Sequence, residues 1–247
     1  MTRLLADAWN DLRRNLAPLA IYLGLVMLVS TAYRGANEIA GSFVPEDGPA
    51  PPWLPAYQVI ADLFIAAGYA AVQASVFSAM GREIDRPLWK SPGLKDALRR
   101  FFMVWFLLNL AMIAVIRMQV SANSAGLAGL VLWLEFLLML FFVFAVPIGA
   151  CVMYWGRLNW RELPEALAPI GRMLPLTMAV FMLTFSQFVL HFFLVQLVPK
   201  GVIGSIPAMA IADVPFAFLD CFAFAAMWRL CMAHRNADFE NDLDMFD

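Results

Sequence analysis

The chain has 247 residues, 62% of them hydrophobic and 15% charged, with a formal net charge of −2. Soluble domains average about 25% charged residues, so this composition, with several uncharged runs of about 18 residues or more, places the chain in the membrane class. It excludes nucleic-acid binding through a basic patch, because no stretch of Lys and Arg interleaved with aromatics stands outside the membrane loops.

Residues 1–15 carry Arg3, Asp7, Asp11, Arg13 and Arg14 and no cleavage site, so the first apolar run is expected to stay in the mature protein. Six spans fit, at about 16–32, 57–80, 101–119, 127–154, 174–198 and 206–232. The first is short and is expected to continue from the amphipathic N-terminal segment. Arg3, Arg13, Arg14, Arg82, Arg86, Lys90, Lys95, Arg99, Arg100, Arg157, Arg161, Arg172, Arg229 and Arg235 all fall on the side of the termini, leaving only Arg34, Arg117 and Lys200 for the other. The positive-inside rule therefore predicts both termini in the cytoplasm.

The outer loop at 34–56 holds Pro45, Pro49, Pro51, Pro52 and Pro55 and reads as a stiff, turn-rich cover. Residues 121–126 and 200–205 read as short turns. In 127–154 the apolar run is interrupted only by Glu135 and Pro147. The step that follows, 155–172, interleaves Arg157, Arg161 and Arg172 with Leu158, Trp160, Leu163, Leu167 and Ile170, a pattern suited to the headgroup region.

A weak repeat precedes three of the spans. Asp7-Ala8-Trp9, Asp96-Ala97-Leu98 and Glu165-Ala166-Leu167 each place an acid, an alanine and a large apolar residue before arginines and a spanning helix. The expectation is an all-α polytopic membrane protein, one integral-membrane domain over 1–247. Its six transmembrane helices form three hairpins, each entered through a cytoplasmic interfacial helix, and 236–247 form an acidic cytoplasmic tail. Ala67, Ala71, Ser75 and Ala79 form a small-residue ridge in the second span, and Asp213, Ala217, Cys221 and Ala225 one in the sixth, which turns Asp213 toward protein. Cys151, Cys221 and Cys231 lack metal-ligand spacing and no disulfide is expected.

Val146-Pro147, Glu165-Ala166-Leu167 and Arg229 sit where a recurring bacterial pattern has an Ala-Pro-like kink in its fourth helix, a Glu-Ala-Leu-like cytoplasmic step and a basic residue closing the sixth helix. On these residues the chain resembles a family of six-helix inner-membrane proteins related to the membrane domains attached to some glycerophosphodiester phosphodiesterases. It departs from the pattern in Val146 and in the extra Pro164 and Pro169. The resemblance implies the fold, an inner-membrane location and an envelope role; no phosphodiesterase motif accompanies it.

Intramembrane charge is the main chemical signal, since each such group costs roughly 2.5–3.5 kcal/mol at mid-membrane on insertion scales. Asp62, Glu135, Asp213 and Asp220 are the carboxylates, Arg117 and His191 the candidate counter-charges, and Gln187 shares a face with His191. An outward-opening polar pocket or proton relay is one reading, with His191 titrating near neutral pH. Interhelical pairing or snorkelling is the other. His191 lacks the partner a haem or chlorin site needs, and the methionines, Met178 and Met182 included, read as packing. No metal or cofactor is expected.

The C-terminal alternation of acids with Phe239, Leu243, Met245 and Phe246 fits a solvated tail or a partner-binding segment. The expected function is a non-enzymatic accessory protein of a larger inner-membrane assembly, with lipids and other membrane proteins or itself as partners. The alternative is a small transporter of solute, ion or lipid, working as an oligomer because six spans are few for that task. An enzyme would need a nucleophile or metal cluster absent from the sequence.

Overall fold

A computed structural model describes residues 2–44, 51–85, 93–156, 167–168, 170–171 and 213–243. Six helices are defined among them: α1 (Thr2–Arg14), α2 (Leu16–Ser42), α3 (Leu54–Ile84), α4 (Leu94–Ser124), α5 (Ala128–Trp155) and α6 (Val214–Leu243). Five, all but α1, contain stretches long and apolar enough to cross a bilayer, and fit a multi-pass membrane protein. The predicted span at 174–198 and the turn at 200–205 lie outside the described residues, as does most of the basic step. From that step, Leu167 and Ile170 pack against the main core.

The helix boundaries correct the expected ones because helix breakers, not the ends of the apolar runs, set them. The first span and the N-terminal segment are two helices. Pro18 has no N–H to give the carbonyl of Arg14 and its ring would crowd it, so the chain breaks at Asn15 and Pro18 falls in the first turn of α2, where no donor is needed. Asn15 closes α1 by donating its side-chain amide to the Asp11 carbonyl at 2.8 Å. Beyond residue 32, α2 runs on to Ser42, so much of the expected proline-rich loop is helix; the prolines act only from Pro45 onward. Leu94–Arg100 is not a separate interfacial helix but the first two turns of α4, because nothing between Lys95 and Phe101 interrupts good helix formers. The acidic tail likewise continues α6 as far as Leu243.

Among the described residues the five long helices pack in a ring: α2 on α3, α3 on α4, α4 on α5, α5 on α6 and α6 back on α2. α6 also reaches α3 across the ring, and α1 lies against α6. The turn between α4 and α5 contains Gly126 at φ 71°, and α5 ends on Gly156 at φ 67°, a left-handed cap that side chains disfavour.

One large core joins α1, the first half of α2, the end of α3, the start of α4, the end of α5 and much of α6. Phe77 is its centre, with ring centroids 4.5 Å from Phe224, 4.9 Å from Tyr22 and 5.2 Å from Trp105. Each such pair adds about 0.5–1.5 kcal/mol beyond burial of its area. Glycine makes room for the two buried tryptophans. A Cβ on Gly81 would come within 2.7 Å of the Trp228 ring, and one on Gly149 would overlap Trp105. A second, small cluster of Val115, Ala122 and Leu134 lies at the opposite end, between α4 and α5.

The small-residue ridge of α3 falls one residue away from the expected one. Ala66, Ala70, Ala74 and Ser78 are buried, whereas Ala67, Ala71, Ser75 and Ala79 are half-buried. Both rows have spacing four, and Ser75 needs no neighbour because its hydroxyl donates to the Ala71 carbonyl of its own helix at 2.7 Å. On α6 the expected ridge holds: Ala217, Cys221 and Ala225 are buried and Asp213 faces α2.

Candidate functional site

Polar side chains in the bundle fall at three depths. At the α1 end, Arg229 donates Nε and Nη2 to the two carboxylate oxygens of Asp11 at 2.5 and 2.6 Å, fastening α1 to α6. The Asp11 side chain is only 5% exposed. Beside it Arg235 lies 3.6 Å from the Asp85 carboxylate and 5.3 Å above the Tyr154 ring. Burial pushes the Asp85 carboxyl above its ordinary range, and Arg235 and Arg229 pull the other way.

At the opposite end, Arg117 on α4 donates Nε and Nη2 to Asp62 on α3, both at 2.7 Å. The Tyr33 hydroxyl on α2 donates to the same carboxylate at 3.0 Å. This triad borders a cavity of about 330 Å³ whose polar lining is Tyr33, Asn37, Tyr57, Gln58 and Arg117. The Tyr57 hydroxyl is buried without a hydrogen-bond partner among the described residues. Glu135 stands apart on α5, accepting from the Gln119 amide at 3.2 Å.

Between these layers α6 turns two carboxylates toward α2. Asp213 accepts from Ser30 at 2.5 Å and from Arg34 at 3.0 Å. Two helical turns further along, Asp220 accepts from the Tyr22 hydroxyl at 3.0 Å. The Gln73 amide on α3 lies beside that hydroxyl. Gln73 in turn accepts from the Asn109 amide on α4 at 2.7 Å, and Asn109 also donates to the Trp105 carbonyl at 2.8 Å. Four helices thus meet in one polar layer inside an apolar core.

Of the residues singled out by sequence, Asp62 and Arg117 are brought together, and Asp213 and Asp220 share one seam on α2. Glu135 joins neither group. Gln187 and His191 lie outside the described residues. Phe239 and Leu243 belong to the backbone of α6, and Met245 and Phe246 lie outside the described residues.

Sequence reasoning missed Arg34, assigning it to an outer loop, because α2 outlasts its hydrophobic run. It also missed Tyr22, Ser30, Tyr33, Gln73, Asn109 and the Asp11–Arg229 pair. The signal was present: an isolated amide or hydroxyl in an apolar helix needs a partner, so Gln73 and Asn109 could have been matched to each other.

Compared with known protein families, with characterised proteins and with solved structures, the chain matches none.

Proposed function

We propose that the chain is a non-enzymatic, multi-pass protein of the bacterial inner membrane, with both termini cytoplasmic, that binds or stabilises a larger membrane assembly. The observation that carries this reading is where the charged side chains are spent. Asp62, Asp213 and Asp11 each close on an arginine of a neighbouring helix, so these ions hold helices together and present no reactive group to a substrate. Broad apolar faces remain outside, with Phe64 76% and Trp133 72% exposed, suited to lipid or to partner helices. The distribution of arginines supports the cytoplasmic assignment of the α1 end.

Purification in mild detergent, followed by identification of co-migrating chains, tests this function. A reproducible set of partner membrane proteins is expected, and a clean monomer contradicts it. A thiol label applied outside intact cells should fail to reach cysteines placed in 82–100. Labelling there overturns the orientation.

The cavity beside Arg117 favours a second reading, a small transporter. Replacement of Tyr57 and Gln58, which line that cavity, by apolar residues separates the two: loss of solute uptake by a folded protein supports transport, and an unchanged folded protein supports the structural role.

A further inference from the structure

We propose that Asp220 is a proton-binding site within the membrane, holding a neutral carboxylic acid at the end of the polar layer formed by Tyr22, Gln73 and Asn109. This goes beyond the structural role, which uses only the ion-paired carboxylates.

Depth and partners separate Asp220 from the other acids. At 1.5 Å per helical residue, Asp220 lies about 14 Å along α6 from Arg229 and about 22 Å from Arg235, the partner of Asp85, well inside a bilayer core about 30 Å thick. By the same count Asp62 is about 35 Å along α3 from Asp85, and Glu135 about 30 Å along α5 from Trp155, at the depth of the far interface where water can reach them. Asp213, at an intermediate depth, has Arg34.

Asp220 has no cation among the described residues. Its one hydrogen-bond partner is the Tyr22 phenol from α2. The other titratable groups beside it are Tyr69 from α3 and Cys221 from its own helix, and the nearest ion pair, Arg34 with Asp213, stands two helical turns away along α6. A carboxylate at that depth without a counter-charge is the most costly state available to it, and a bound proton removes the charge.

The Tyr22 hydrogen bond taken alone favours the charged form, but it is a single neutral donor set against burial of the carboxyl with no cation beside it among the described residues. Asn109 donates to Gln73, whose amide adjoins Tyr22, and Tyr22 donates to one Asp220 oxygen. Tyr22 occupies one Asp220 oxygen; the other accepts no hydrogen bond among the described residues and is the atom that carries the proton. As a whole residue Asp220 has intermediate exposure, and a reagent dissolved in lipid reports whether its carboxyl can be reached from there.

A hydrophobic carbodiimide tests the proposal, because a protonated carboxyl adds across its C=N bond and rearranges to a stable acylurea. The purified protein in phosphatidylglycerol–phosphatidylethanolamine vesicles is treated with dicyclohexylcarbodiimide near neutral pH and digested for mass spectrometry. The adduct is expected on Asp220, with Asp62 and Asp213 unmodified, and lost in Asp220→Asn. Infrared spectra of the wild type, which need neither reagent access nor a variant's folding, should show a protonated-acid carbonyl band near neutral pH. That band should persist in Glu135→Gln. Absence of the band, its loss in Glu135→Gln, or an adduct on Asp62 or Asp213 in place of Asp220 would overturn the assignment.

Discussion

The two ends of the bundle are built differently. At the α1 end, Trp105, Trp228, Phe77 and Phe224 are fully buried, glycines let two tryptophans meet backbone, and the Asp11–Arg229 pair is withdrawn from solvent. At the opposite end the buried cluster is three residues among those described, Arg117 is 39% exposed, and a cavity opens between α2, α3 and α4. Among the described residues, packing is therefore densest where α1 joins the bundle. Similar ion pairs have unequal weight in the two places, because Asp11 is more deeply buried than Asp62 and water screens its pair less.

Substitutions can break or sharpen that contrast. Arg229→Met strands the buried Asp11 carboxylate and should destabilise the protein by about 3–5 kcal/mol, the cost of breaking a buried pair, read as a lower thermal midpoint in mild detergent. Gly149→Ala forces Trp105 from its place and should cost about 1–3 kcal/mol, with a change in tryptophan fluorescence. Arg117→Met, at the open end, should cost about 1 kcal/mol, the low end for a group left unsatisfied; a loss as large as that of Arg229→Met would erase the contrast.

The smallest effect is in pH dependence. The raised Asp85 pKa means that the fold binds its proton more tightly than the unfolded chain does. Its contribution to stability is present at acid pH and is lost as pH rises through the carboxylate range. Asp85→Asn should flatten the decline in thermal midpoint over that window.

Much of the bundle was legible from hydropathy alone, since a helix in lipid must satisfy its own backbone and apolar length marks it. Residues 127–154 match α5 to within one residue at each end. Helix ends were not legible that way. Bilayer thickness limits the apolar run, whereas Pro18, Pro45 and Gly93 limit the helices, and the two limits differ by ten residues in α2.

The carboxylates stood out in sequence because each is costly in lipid, but their partners did not. Arg34 was hidden by the boundary error. Tyr22 and Ser30 are polar only at one atom and pass unnoticed in an apolar run. The Asp62–Arg117 pair was within reach because both are charged and both lie near the same end of their spans. Which small-residue row of α3 faces inward was ambiguous in principle, since the rows 66-70-74-78 and 67-71-75-79 have the same period and neighbours decide between them.

A pair of double-mutant cycles measures the contrast between the ends most directly. Thermal unfolding of Asp11→Asn, Arg229→Met and their combination gives one coupling energy, and Asp62→Asn, Arg117→Met and their combination gives the other. The structure predicts a clearly larger coupling for Asp11 with Arg229, and one less sensitive to salt. Equal couplings, or a larger one between Asp62 and Arg117, would contradict a bundle anchored at its α1 end.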